Sequence, residues 1–200
     1  MIGRVGSLPS PNEYDLLRPT SPTRIPDIGL ELLKSLHYDA TPILAGTGCE
    51  GTVWRVGPVV LKHWPVIDDI GSSFKFWYRA MTDRVLADAL STTYAVTLRS
   101  NISGMGPFGF TITDTLALIP KDEDGYTIFP PELSALSNAC EYLAAGGSHS
   151  KGIEIAAGFG YIIKAMMKVC EDGYDVFGVF EYGLQLGYDR SGRLRIYDVS

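Results

Sequence analysis

The sequence is poor in cysteine, poor in basic charge and without a long apolar run. Its three cysteines, Cys49, Cys140 and Cys170, form no close pair, which argues against a disulfide framework or a zinc site. There are 17 Lys and Arg residues against 23 Asp and Glu, and the net charge of −6 disfavours nucleic-acid binding. No stretch reaches the ~18 apolar residues that would span a membrane. These absences predict a protein that binds neither nucleic acid nor membrane.

The first residues also lack the pattern of a secretion signal. No basic segment followed by an apolar run is present near Met1. We therefore expect a cytoplasmic protein, or one delivered to a host cytosol without a Sec-type signal. The hydrophobic share of 46% is high enough for a packed core.

The composition divides the chain into an arm and a region of alternating strands and helices. Residues 1–27 carry five prolines among serines and threonines, which predicts an extended arm. The spacing of apolar residues predicts a short helix over 28–36 and three strands between 43 and 62. Further along, the patterns predict helices over 74–90, 132–145 and 152–171, strands over 92–98 and 108–119, and a hairpin over 184–199.

A glycine-rich turn lies between the first two predicted strands. Residues 46–53 match the pattern G-x-G-x-x-G-x-V, in which glycine lets backbone amides approach phosphate oxygens without a Cβ atom in the way. Gly46, Gly48 and Gly51 are therefore candidates for covering a ligand, and Val53 is a candidate for packing on an adenine ring. Strand-like sequence after the turn excludes a Rossmann fingerprint, and the lack of Gly-Lys-Ser/Thr excludes a Walker motif.

Two charged residues end later apolar strands. Lys62 follows three large apolar residues and stands eleven positions after Gly51. In the V-A-I-K pattern, a lysine at this position contacts the phosphates of a nucleotide. Asp198 ends the last predicted strand, and an aspartate there can hold Mg²⁺ that bridges phosphates.

The glycine-rich turn, Lys62 and Asp198 follow the order in which protein kinases carry these features, and residues 43–200 resemble the protein-kinase-like superfamily. The resemblance implies an α+β, two-lobed protein-kinase-like fold with an antiparallel N-lobe sheet and a reduced helical C-lobe. Residues 28–120 would form the N-lobe-like sheet with its bracing helix, and residues 121–200 the reduced C-lobe with a metal-site hairpin. The resemblance also implies ATP and Mg²⁺ as ligands and a protein as partner or substrate.

The sequence departs from the kinase pattern at the catalytic positions. Counting back from Asp198 places Gln185 at the second metal ligand and Phe180 at the catalytic aspartate. Phenylalanine cannot accept a proton from a substrate hydroxyl. Glu181 or Asp175 would therefore have to act as a displaced base.

Two further parts of the kinase pattern are missing. Residues 74–90 contain no glutamate to pair with Lys62, so Asp83 or Asp88 would have to substitute, with Asp83 nearer the expected position. The sequence also ends two residues after Asp198. We therefore expect a protein without the activation segment and the later helices that bind peptide substrates in ordinary kinases.

Three functions remain open from the sequence. The first is a degenerate kinase that binds a nucleotide and acts on or regulates a protein partner. The second is an active, atypical mini Ser/Thr protein kinase, for which the serine and threonines within residues 20–23 are candidate autophosphorylation sites. The third is an α+β interaction module without a nucleotide, whose exposed aromatic residues would form the interface: Trp54, Trp64, Phe76 and Trp77.

Overall fold

The computed structural model describes residues 24–48, 51–65, 74–99, 108–124, 126–171 and 184–199, with positions 173, 176, 177 and 180. Of the arm predicted over residues 1–27, residues 1–23 lie outside this part. The division into two lobes at residue 120 stays a prediction.

Within the described ranges the chain is a mixed α+β protein. The α-helices are α1 (Asp27–Ser35), α2 (Phe74–Ala80), α3 (Arg84–Ala89), α4 (Ser134–Ala144), α5 (His149–Ile155) and α6 (Gly160–Glu171). The strands are β1 (Ile43–Gly48), β2 (Gly51–Val56), β3 (Val59–Trp64), β4 (Thr93–Arg99), β5 (Phe108–Asp114), β6 (Ala117–Leu118), β7 (Leu184–Tyr188) and β8 (Leu194–Val199).

Five strands form one antiparallel sheet in the order β1-β2-β3-β5-β4, which confirms the predicted antiparallel sheet. A second sheet has the order β6-β7-β8. The Pro58 carbonyl, in the turn between β2 and β3, accepts hydrogen bonds from the Thr115 amide at 3.1 Å and from Arg190 Nη2 at 3.4 Å. This one carbonyl therefore ties the β2–β3 turn to the segment between the two sheets and to the β7–β8 turn.

Strand alternation gives the five-stranded sheet two different faces. One face is apolar and packs against α1, where Leu33 is 2% exposed. Its buried side chains are Trp54, Val56, Val59, Leu61, Phe110 and Ile112. The other face carries polar and apolar residues in turn and borders a cleft.

A second and larger core joins the helices after β3 to the β6–β8 sheet. It contains Trp64, Phe76 and Trp77, while Trp54 belongs to the core beneath α1. None of these four aromatic side chains is more than 2% exposed. The predicted aromatic interface is therefore wrong, because the apolar rings are used to fill the two cores.

Two predicted helices are broken in the structure. The helix predicted over 74–90 is interrupted after Ala80, because Asp83 caps a new helix by accepting a hydrogen bond from the Val85 amide at 2.9 Å. The helix predicted over 152–171 is interrupted at Ala157, whose φ of 49° lies in the left-handed region. Among the described helices, none is long and apolar enough to cross a membrane.

His63 lies on the face of β3 that points toward α1. Its ring stacks on Phe110 with 4.8 Å between centroids, and the residue is 8% exposed. Burial lowers its pKa from 6.5 to about 4. The Nδ1 atom has no hydrogen-bond partner in the described structure, and the neutral ring is the form that this environment favours.

We expect His63 to make the folded state less stable as the pH falls from about 6.5 to 4. The unfolded chain binds a proton on this residue in that interval and the folded chain does not, so the stability present above the unfolded pKa is lost. The loss is on the order of 2 kcal/mol. Urea denaturation of the native chain and of His63→Phe at both ends of the interval measures it. Equal losses in the two proteins would contradict the assignment to His63.

Candidate functional site

A cleft of about 320 Å³ borders the second face of the five-stranded sheet. The sheet side of the cleft consists of two cross-strand rows, one of Val53, Lys62 and Thr111 and one of Arg55, Val60 and Thr113. The remaining residues around it come from β1, α2, the end of β5, the segment after it, β6 and β8: Ala45, Trp77, Asp114, Thr115, Leu116, Leu118 and Tyr197.

The cleft contains the valine and the lysine that the motif singled out. Val53 and Lys62 are direct partners on neighbouring antiparallel strands, so their side chains share one face of the sheet. Lys62 is half-buried, and its Nζ atom lies 3.7 Å from the centroid of the Trp64 ring. This cation–π contact holds the positive charge of Lys62 beside the cleft.

The three glycines of the motif occupy two different environments. Gly46 and Gly48 lie on the exposed strand β1, and a Cβ atom added at either would meet no atom within 4 Å. Gly51 begins β2 with a φ of +153°, and a Cβ atom there would overlap the His63 carbonyl oxygen. Gly48 and Gly51 pair across the turn, whose two tip residues lie outside the described part. Only Gly51 is thus required by the fold itself.

The end of the cleft at β5 is polar. The Asp114 carboxylate accepts a hydrogen bond from the Tyr94 hydroxyl at 2.7 Å, and this bond raises the pKa of Tyr94 to about 12. Nearby, Thr115 Oγ1 is buried and has no hydrogen-bond partner in the described structure. Leaving a buried hydroxyl unpaired costs about 1–3 kcal/mol.

The carboxylates predicted to pair with Lys62 are engaged elsewhere. Asp83 caps α3 and forms an ion pair with Lys168 at 2.9 Å, and the hydrogen bond from Lys168 holds the pKa of Asp83 below its ordinary value. Asp88 pairs with Arg193 at 2.7 Å. The prediction that either replaces the helix glutamate is wrong, because the break between α2 and α3 turns both toward α6 and β8.

The positions that the kinase resemblance predicts to be catalytic are only partly described. Phe180 is 6% exposed and packs on Phe129 with 5.6 Å between ring centroids, so it is a core residue. Glu181 and Asp175, the predicted displaced bases, lie outside the described residues. Their role stays a prediction.

The two predicted metal ligands lie on neighbouring strands. Gln185 on β7 and Asp198 on β8 are direct partners in the register, and Tyr197, which precedes Asp198, lines the cleft. The side chain of Asp198 lies outside the described part. Among the described residues no group of three or more His, Cys, Asp or Glu side chains could hold a metal ion.

Several residues of the cleft were not found from the sequence. Thr111 and Thr113 sit at alternating positions of β5, so strand alternation would have placed them on the same face once the pairing of β3 with β5 was known. Thr115, Leu118 and Tyr197 come from the later segments, and no local motif marks them. They are brought to the cleft by the connection between the two sheets.

Comparison with known proteins adds no relative from which a function could be carried over. No protein-family model matches the sequence, and no curated protein matches it significantly.

Proposed function

We propose that the chain is a kinase-like nucleotide-binding protein, a degenerate kinase that binds ATP in the cleft and regulates a protein partner. The observation that carries the proposal is the pairing of Val53 with Lys62 in one cleft, directly after a glycine-rich turn. In kinases a lysine on the third strand contacts the phosphates, and the glycine-rich turn covers them.

The size and lining of the cleft fit such a ligand. A volume of about 320 Å³ is at the lower end for small-molecule sites, which are mostly apolar with a few placed polar groups. Val53, Val60 and Leu118 provide apolar surface for a base. Lys62 provides the positive charge for phosphates, and Thr115 lies at the polar end of the cleft.

The donor set also fits Mg²⁺ held together with phosphates. Mg²⁺ prefers oxygen ligands and commonly takes one or two from the protein, the rest coming from water and substrate. Asp198 and Gln185 would supply a carboxylate and an amide oxygen from paired positions on β8 and β7. The bound ion would neutralise part of the negative charge of the phosphates.

Two observations favour binding over phosphoryl transfer. The position that carries the catalytic aspartate in kinases is held by Phe180, which is buried against Phe129. The helix after β3 offers no carboxylate to Lys62 from Asp83 or Asp88, since both are paired with other cations. In kinases the ion pair between the lysine and a carboxylate of that helix must be in place for transfer.

We expect ATP with Mg²⁺ to raise the melting temperature of the native chain and Lys62→Ala to lose about half of the shift or more. At a ligand concentration of 100 Kd the stabilisation is about 2.7 kcal/mol. Removal of one charge-assisted contact weakens binding about 10- to 100-fold. Thermal denaturation with and without ATP measures both effects, each variant being compared with its own ligand-free form.

Lys34→Ala serves as the matched control, because Lys34 is an exposed lysine on α1, the helix that covers the other face of the sheet. It should keep the full shift. A native chain that shows no shift with ATP would rule out the nucleotide-binding proposal.

Incubation with labelled ATP separates the degenerate kinase from the active one. The proposal expects no label on the chain or on proteins of a lysate. Label that is transferred by the native chain and lost in both Lys62→Ala and Asp198→Ala would establish the active mini kinase instead.

A further inference from the structure

An open groove of about 570 Å³ lies where α3, α6 and β8 meet. It shares no lining residue with the cleft. Its lining side chains are Arg84, Val85, Ala87, Asp88, Tyr161, Lys164 and Arg195.

The groove carries positive charge that the fold does not neutralise. Arg195 is paired with Asp189 at 2.8 Å, and Asp88 is paired with Arg193 at 2.7 Å, so these four charges cancel. Arg84 and Lys164 are exposed, and their side chains form no hydrogen bond or ion pair with any residue that the structure describes. Two cations thus remain at the groove of a chain whose net charge is −6.

The walls of the groove are held by specific contacts. The Arg193 guanidinium stacks on the Tyr161 ring at 4.3 Å, and the Tyr161 hydroxyl donates to the Leu194 carbonyl at 2.8 Å. Arg195 Nη1 donates to the Asp88 carbonyl at 2.8 Å, which fastens β8 to the end of α3. A ligand entering this groove meets a preformed surface, so little free energy is spent on ordering it.

We propose that this groove docks an acidic segment of a partner protein. Arg84 and Lys164 would pair with carboxylates of the segment, and Val85, Ala87 and the Tyr161 ring would contact its apolar side chains. A nucleic acid fits less well, because two uncompensated cations give little counterion release and the chain as a whole repels a polyanion. The proposal does not depend on nucleotide binding in the cleft.

The test is fluorescence anisotropy with a short fluorescein-labelled peptide of glutamate and leucine, and with its glutamine counterpart. The native chain should bind the acidic peptide at least about tenfold more tightly, with an affinity that falls as salt is raised. The double variant Arg84→Glu/Lys164→Glu should lose that difference. Lys34→Glu/Arg99→Glu changes two exposed cations elsewhere by the same total charge and should keep it.

Three results would overturn the proposal. The native chain could fail to distinguish the two peptides, or the control variant could lose as much affinity as the groove variant. A fluorescein-labelled oligouridylate of equal charge could bind as tightly as the peptide and lose that affinity in the groove variant, which would make the groove a nucleic-acid site. All four substitutions are at exposed positions, and circular dichroism verifies that each variant is folded.

Discussion

We expect Gly51→Ala to lose at least about 3 kcal/mol of folding free energy. The added Cβ atom would overlap the His63 carbonyl oxygen, which is backbone of the paired strand and cannot swing away as a side chain could. The φ of +153° adds to the cost, because residues with a Cβ atom rarely adopt it. Since domains of this size are stable by about 5–15 kcal/mol, the loss removes a large part of the total. Urea denaturation of the purified variant measures it.

Gly46→Ala and Gly48→Ala are the matched controls in the same motif. Neither Cβ atom would meet a neighbour within 4 Å, so each variant should lie within about 1 kcal/mol of the native chain. If the proposed nucleotide site is right, these two variants should nevertheless bind ATP more weakly. A Gly51→Ala variant as stable as the controls would show that the β2–β3 register differs from the one described.

The second large effect is expected when the kinase aspartate is introduced into the chain. Phe180→Asp should destabilise the folded state by about 4 kcal/mol or more and should not produce a kinase. The substitution removes a buried ring that packs on Phe129 and leaves a carboxylate in an apolar environment. Thermal denaturation and transfer of labelled phosphate are the two measurements.

Phe180→Leu keeps the position apolar and should cost only about 1–2 kcal/mol. The difference between the two variants in free energy of unfolding shows whether Phe180 is needed for packing or only stands where kinases have the catalytic aspartate. A Phe180→Asp variant that is stable and transfers phosphate would show that the chain is one substitution away from an active enzyme, against the degenerate-kinase proposal.

Strands were predicted correctly from the sequence where runs of β-forming residues lie between turn signals. The strands predicted between residues 43 and 62 correspond to β1, β2 and β3, which are separated by the glycine-rich turn and by the turn at Gly57 and Pro58. The two helix breaks could not be predicted from the sequence, because the helical spacing of apolar residues continues across them. The capping role of Asp83 depends on its contact with the Val85 amide, and an alanine does not mark the left-handed turn that Ala157 makes.

The sequence predicted only the part of the site that belongs to a local motif. Val53 and Lys62 are close in sequence and were found, and the structure brings them into one cleft. The groove was missed because its charges come from three distant segments, at Arg84, Lys164 and Arg195. Whether Asp83 pairs with Lys62 or with Lys168 depends on where a helix ends, which a motif does not specify.

The hydrogen bonds to the Pro58 carbonyl have a consequence for motion. They fasten the β2–β3 turn to Thr115 and Arg190, at the end of the hairpin remote from Gly51. β3 is also paired with β5 along its whole length, whereas in the described sheet the edge strand β1 is paired with β2 alone. When the cleft opens and closes, β1 with Gly46 and Gly48 is therefore expected to be displaced most. The width of the polar end near Thr115 is expected to stay constant.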